Sequence, residues 1–197
     1  MWIYEGDSAA RGFRAARNPL TQAAYMMRGV PPNCLGMTPV QIMKNDVFND
    51  IITILGLKFG KEFNIKDLNF GKIVLSTDAD VDGDKIAALL LLFFRMWPEL
   101  IKEKIVCRSI SPIIIAKKNK ERKKYYSIAD FKADEKKLKS NWIIKYVKGL
   151  SGLDAEETKD VMRNPIYLYF DYDKDADEMF ERWFGSDSNQ RKQLMEI

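Results

Sequence analysis

The sequence predicts an α/β fold, a mostly parallel sheet covered by helices. Three observations carry that reading. Short apolar runs of strand character alternate with stretches at helical spacing, the pattern of strand–helix–strand units. A composition 46% hydrophobic and 30% charged over 197 residues gives one domain with a real core, with room for a small appendage. The longest uncharged apolar run, Ile86 to Phe94, falls far short of the ~20 residues of a membrane span and reads as a buried helix.

The elements follow in order. Trp2-Ile3-Tyr4 is a short buried strand ending at Glu5. Gly6-Asp7-Ser8 turns the chain, Ser8 caps a helix from Ala9 to Arg17, and Asn18-Pro19 ends it. Ala23 to Met27 is a second strand, closed by Arg28-Gly29 and Pro31-Pro32. Between Pro39 and Leu57 apolar residues recur near helical spacing, and Gly56 and Gly60 punctuate the end. Lys72 to Thr77 is a strand, and Lys85 to Lys104 one long helix. Val106 to Lys117 and Lys124 to Ser127 are strands around a basic tip. Trp142 to Val147 is a strand, followed by the loop from Lys148 to Leu153. Asp154 caps a helix reaching Met162. Ile166 to Phe170 is a strand, and Asp175 to Phe184 a helix.

Composition removes several chemistries. The chain has no histidine, which excludes His-based zinc sites, Ser-His and Cys-His nucleophile systems and imidazole acid–base catalysis. A metal must be held mainly by oxygen, which points to Mg²⁺ or Ca²⁺. The two cysteines, Cys34 and Cys107, form no metal spacing or disulfide framework, and with no signal peptide the expected compartment is the reducing cytoplasm. The net charge of +4 is unevenly spread. Basic residues gather at Arg11, Arg14, Arg17 and Arg28 and again from Lys117 to Lys124. The latter run reads either as a solvated hairpin tip or as a polyanion contact.

Acids gather in Ser76-Thr77-Asp78-Ala79-Asp80-Val81-Asp82-Gly83-Asp84-Lys85, behind the apolar run Ile73-Val74-Leu75. Three readings compete. An EF-hand loop fits the first six positions, but it needs a glutamate where Leu89 stands and a helix where a strand precedes. A phosphatase of the haloacid dehalogenase type would use Asp80 as nucleophile and Asp82 as acid, yet no partner acidic loop is evident. The third reading is a Mg²⁺ site at the carboxyl end of a parallel strand. Asp78 and Asp80, two residues apart, leave the strand end on one side. Glu5, at the end of its own strand, offers a third carboxylate. Asp84 reads as a first-turn acid favoured by the helix dipole. Removing Asp80 should relieve carboxylate repulsion and leave the fold intact.

These residues resemble the Toprim domain of type IIA DNA topoisomerases. Glu5-Gly6-Asp7-Ser8-Ala9 matches its E-G-D-S-A block, and Asp78 to Gly83 its D-x-D-x-D-G block. Lys145-Tyr146-Val147-Lys148-Gly149-Leu150 resembles its Y-K-G-L-G block, with Ser151 inserted before Gly152. Gln22 to Asn33 resembles the intervening segment. In style the chain is similar to the large subunit of T-even-type phage topoisomerases, which would put it in the host cytoplasm. Lys85 stands where the family usually has His, and Val30 where a basic residue follows Arg-Gly.

The resemblance implies a Rossmann-like Toprim core over residues 1–117. Residues 118–197 then form its C-terminal αβ extension, with the basic hairpin, the Lys148-Gly149-Leu150 loop and a terminal βα unit. It implies that Glu5, Asp78 and Asp80 are catalytic and hold Mg²⁺, with Asp82 in support. It implies that Arg11, Arg14, Arg17, Arg28, Lys85 and Lys148 contact double-stranded DNA. The nucleophilic tyrosine would lie in a winged-helix domain and ATP hydrolysis in another, so the chain is expected to be a fragment or excised domain, inactive alone. A Toprim-type nuclease or primase, or a non-catalytic DNA clamp, is the alternative.

Overall fold

The computed structural model describes residues 1–138 and 141–195, the side chains of residues 7–11 excepted. Strand β1 (Trp2–Glu5) passes straight into helix α1 (Gly6–Ala16), and β2 (Ala24–Met27) follows. The helix begins earlier than Ser8 predicts, because Gly6 at φ +74° makes the turn within one residue of the strand. The predicted single helix from Pro39 to Leu57 is two, α2 (Pro39–Met43) and α3 (Asp46–Leu55). Asn45 breaks it, its side chain accepting from the Phe48 amide at 3.2 Å as a new N-cap. Gly56, left-handed at φ +73°, ends α3.

Strand β3 (Ile73–Ser76) is buried at every residue, as a parallel strand covered on both faces must be. The helix predicted from Lys85 to Lys104 is also two. α4 (Val81–Phe94) starts where Asp80 caps it, and α5 (Pro98–Lys102) restarts after Trp97, since the residue before a proline is driven out of helical conformation. The predicted strand from Val106 to Lys117 divides at Ser111-Pro112 into β4 (Val106–Ile110) and β5 (Ile114–Lys118). β6 (Glu121–Tyr125), α6 (Ile128–Glu135), β7 (Ile143–Tyr146), α7 (Ala155–Arg163), β8 (Ile166–Tyr169), α8 (Ala176–Phe184) and α9 (Ser188–Met195) complete the chain. The sequence pattern did not signal α9.

The main sheet has the order β2-β1-β3-β4-β8, parallel except for the antiparallel edge strand β8. This is the mostly parallel, helix-covered sheet that alternation predicts, a Rossmann-like fold. A separate antiparallel sheet, β6-β5-β7, packs on α6 through Ile114, Ala116, Tyr125 and Phe131. On one face of the main sheet α3 and α4 close a core in which Phe48 and Phe93 stack 4.5 Å apart. On the other, Trp2, Tyr4, Phe13, Val74 and Met162 pack together. There α1 and α7 approach so closely that a Cβ on Gly12 would come within 2.7 Å of Thr158 Oγ1. No helix among the described residues is long and apolar enough to cross a membrane.

Candidate metal centre

β1 and β3 run side by side with Tyr4 level with Ser76, so Glu5 and the residues after Ser76 emerge at the same carboxyl edge. Two helices start there, and open α/β sheets bind ligands at this edge. Glu5 occupies the N-cap position of α1 but makes no capping bond with its side chain, so its carboxylate is left for other work. Asp80 does cap: its Oδ1 accepts from the Gly83 amide at 2.8 Å. Asp82 and Asp84 lie in the first turn of α4, where the helix dipole favours negative charge.

Asp78 is held at both ends. Its Oδ1 accepts from the Leu150 amide at 2.8 Å, a bond reaching across 72 residues of sequence. The Gly149 backbone lies against the same carboxylate, where a Cβ would overlap it. Its carbonyl accepts from Arg108 Nη2 at 3.1 Å, and a Cβ on Gly83 would strike that carbonyl. Arg108 projects from β4 and pairs through Nη1 with Asp84. Asp84 is therefore more than the first-turn dipole residue the sequence suggests. Arg108 Nε, Thr77 Oγ1 and Ser111 Oγ are buried nearby without a hydrogen-bond partner among the described residues.

Partial burial pushes the Glu5 carboxyl above its usual range, and the charges of Asp78, Asp80 and Asp82 push it further. The four acids singled out in the sequence are thus within electrostatic reach of one another. Among the described residues, no three acidic side chains already converge on a point that could hold an ion. The arrangement is an oxygen-only set, Glu5 and Asp78 half-buried and Asp80 and Asp82 exposed, whose repulsion a hard divalent cation would relieve. That chemistry fits Mg²⁺.

The proposed DNA contacts divide. Arg14, Arg17, Arg28, Lys85 and Lys148 are exposed, while the side chain of Arg11 lies outside the described residues. Three of the six basic residues from Lys117 to Lys124 are engaged in ion pairs within the fold, while Lys120 and Arg122 are exposed. Lys117 pairs with Asp154 and Glu157, Lys123 with Asp134, and Lys124 with Asp160. These pairs tie the β5–β6 hairpin to α6 and α7. A hollow of about 730 Å³ between α4 and α8 takes in Val81, Asp84 and Lys85 but none of Glu5, Asp78 and Asp80.

Sequence reasoning missed Arg108 and the grip of Gly149 and Leu150 on Asp78. A signal for the first was present, since an arginine within the otherwise apolar strand Val106-Cys107-Arg108 needs a buried partner. The second depends on a tertiary approach that no local pattern reports.

Comparison with known proteins follows the same residues. The model of the Toprim domain matches residues 1–113. Over its full length the chain is 32% identical to the DNA gyrase B protein of Thermotoga maritima and spans 32% of that protein. Over 168 residues, 80% of the chain, it is 38% identical to DNA topoisomerase 2-beta of Homo sapiens and spans 10% of it. Among solved structures it is similar to the DNA-binding, cleavage and re-ligation domain of Plasmodium falciparum topoisomerase II. That match has a TM-score of 0.83 at 26% identity, covering 98% of this chain and 28% of the other. The chain thus spans about a third or less of the relatives it matches.

Proposed function

The chain belongs to the Toprim domain family, and from that premise we propose that it supplies the Mg²⁺ site of a type IIA DNA topoisomerase. Such an enzyme breaks and rejoins both strands of DNA with ATP hydrolysis, the nucleophilic tyrosine and the ATPase lying in other domains or subunits. The observation that carries the reading is the gathering of Glu5, Asp78, Asp80 and Asp82 at one edge of the sheet, close enough to raise the Glu5 carboxyl. The similarity to gyrase B and topoisomerase 2-beta supports the wider role. A phage source, on sequence style, and a cytoplasmic setting, on cysteine usage, belong to the same reading.

Glu5, Asp78 and Asp80 would hold the ion, with Asp82 adding negative charge. Bound there, Mg²⁺ supplies Lewis-acid charge to the scissile phosphate and the leaving oxygen. The chain's own part is positioning. Leu150 N–H and Arg108 fix the Asp78 carboxylate and carbonyl, and the Gly83 amide fixes Asp80. Arg14, Arg17, Arg28 and Lys148 would meet DNA phosphates, interactions that set register rather than sequence preference.

The test incubates the purified chain with supercoiled plasmid and Mg²⁺. The plasmid should stay intact, because the nucleophile is elsewhere, and should be cleaved once the tyrosine-bearing partner is added. Nicking by the chain alone, abolished in Asp80→Ala, would instead favour an autonomous nuclease.

A further inference from the structure

We propose that Arg108 is a positioning residue of the metal site, a clasp that closes the acidic loop by gripping both its ends. The inference rests on the metal-site reading above. The loop begins at Asp78, where β3 has just ended, and finishes at Asp84, in the first turn of α4; Asp80 and Asp82 lie between. Arg108 reaches both ends at once, with Nη2 on the Asp78 carbonyl at 3.1 Å and Nη1 on the Asp84 carboxylate. Its side chain is only 13% exposed, whereas that of Asp84 is 67% exposed. The guanidinium is therefore fixed by the sheet, and the loop is drawn to it. β4 supports it through the parallel pairing of Arg108 with Leu75.

Geometry sets this role apart from simple charge neutralisation. Two acceptors that diverge from one rigid group require a planar fork with separate donors. A lysine carries the same charge but offers a single ammonium, which cannot span both. Charge alone acts the other way: a cation beside a Mg²⁺ site repels the ion. The Arg108 charge is tolerable because Asp84 neutralises it, and what the pair contributes is shape. Gly83 adds to the same closure, since only a residue without a Cβ fits against the Asp78 carbonyl. The loop is thus closed at its base by Arg108 and Gly83.

The experiment compares the full chain with Arg108→Lys and Asp84→Asn. Mn²⁺ binding is followed by electron paramagnetic resonance of the free ion. Hydrogen–deuterium exchange of residues 78–84 is measured without metal, with residues 86–94 as the internal reference. Arg108→Lys should bind Mn²⁺ about tenfold more weakly, the lower end of what loss of a partner behind a metal ligand costs. Both variants should exchange faster in 78–84 while 86–94 is unchanged. If Arg108→Lys does not fold, Asp84→Asn carries the test through exchange, because Asp84 lies at the surface. A wild-type chain that takes up no Mn²⁺ overturns the metal reading and this inference with it. A wild-type chain that binds, with Arg108→Lys binding as tightly and exchanging as slowly, overturns the clasp alone.

Discussion

The backbone of Gly149 lies directly against the carboxylate of Asp78, so that a Cβ at residue 149 would overlap its oxygens. The two residues are far apart in sequence, and their meeting joins the loop after β7 to the strand end that carries the metal-site acids. Gly149 is extended, at φ −163° and ψ 175°, so its backbone would suit any residue and the constraint is purely steric.

Gly149→Ala should therefore push the loop outward and break the bond from Leu150 N–H to Asp78. The cost expected for such overpacking is about 1–3 kcal/mol, with weaker divalent-ion binding. Gly152→Ala is the control, since its Cβ would meet only Val147 Cγ1 at an ordinary 3.7 Å. Thermal melts of the two variants decide it: equal stability would mean that the loop yields without cost.

Asp80 has two duties that substitution can separate. Its side chain caps α4, so Asp80→Ala should cost about 1 kcal/mol rather than stabilise by relieving repulsion, as the sequence alone suggests. Asn caps nearly as well, so Asp80→Asn should melt like the wild type. Both variants should lose Mg²⁺-dependent cleavage in the assembled enzyme. Denaturant titrations alongside plasmid cleavage across a Mg²⁺ series test this, and a stabilised Asp80→Ala would contradict the capping role.

Glu157 gives the fold an acid-sensitive joint. It is 3% exposed, with Lys145 Nζ 2.6 Å from Oε2 and Lys117 Nζ 2.6 Å from Oε1, the latter an ion pair without good hydrogen-bond direction. Burial alone would push its carboxyl up. The two lysines and the Asp154 amide outweigh that and leave it below the ordinary 4.5. A depressed native pKa gives stability that is full above the unfolded value and is lost as pH falls through 4.5 toward the native one. Glu157→Gln should lose about 1–3 kcal/mol near neutral pH and show a shallower acid limb below 4.5. Chemical denaturation at stepped pH checks both, and an unchanged acid limb would remove Glu157 from the account.

DNA binding by the chain should be weak and salt-sensitive. Arg14 and Arg17 are exposed on and just beyond the C-terminal end of α1. Replacing either with Ala should lower affinity alike for unrelated duplexes and reduce the log–log salt slope by roughly 0.9 for each phosphate no longer neutralised. Fluorescence anisotropy on two duplexes of different sequence measures it. Affinity that ignores salt would exclude phosphate binding by these arginines.

Much of this was legible in the sequence because it is local. Alternation of strands and helices gave the sheet class, and Glu5 and Asp78 were read as neighbours because each ends an apolar strand. Asp154 was recognisable as a cap, and its capping box with Glu157 is present. Helix boundaries failed where a single residue overrides periodicity, as Asn45 and Pro98 do. The grip on Asp78 was illegible for a different reason. Arg108, Gly149 and Leu150 meet it only after β4 and the loop following β7 are brought to the end of β3; the arginine in an apolar strand hints at a partner without naming it, and the approach of the Gly149 loop leaves no local pattern. The basic hairpin shows the same limit, since its lysines were ambiguous until α6 and α7 supplied Asp134, Asp154, Glu157 and Asp160 as partners.

The most direct test of the central claim is anomalous diffraction from crystals of the chain grown or soaked with Mn²⁺. The account predicts a peak within oxygen-coordination distance, about 2.0–2.6 Å, of Glu5 and of Asp78 or Asp80, absent in Asp80→Asn. A peak elsewhere, or none at that edge of the sheet under saturating Mn²⁺, would contradict it.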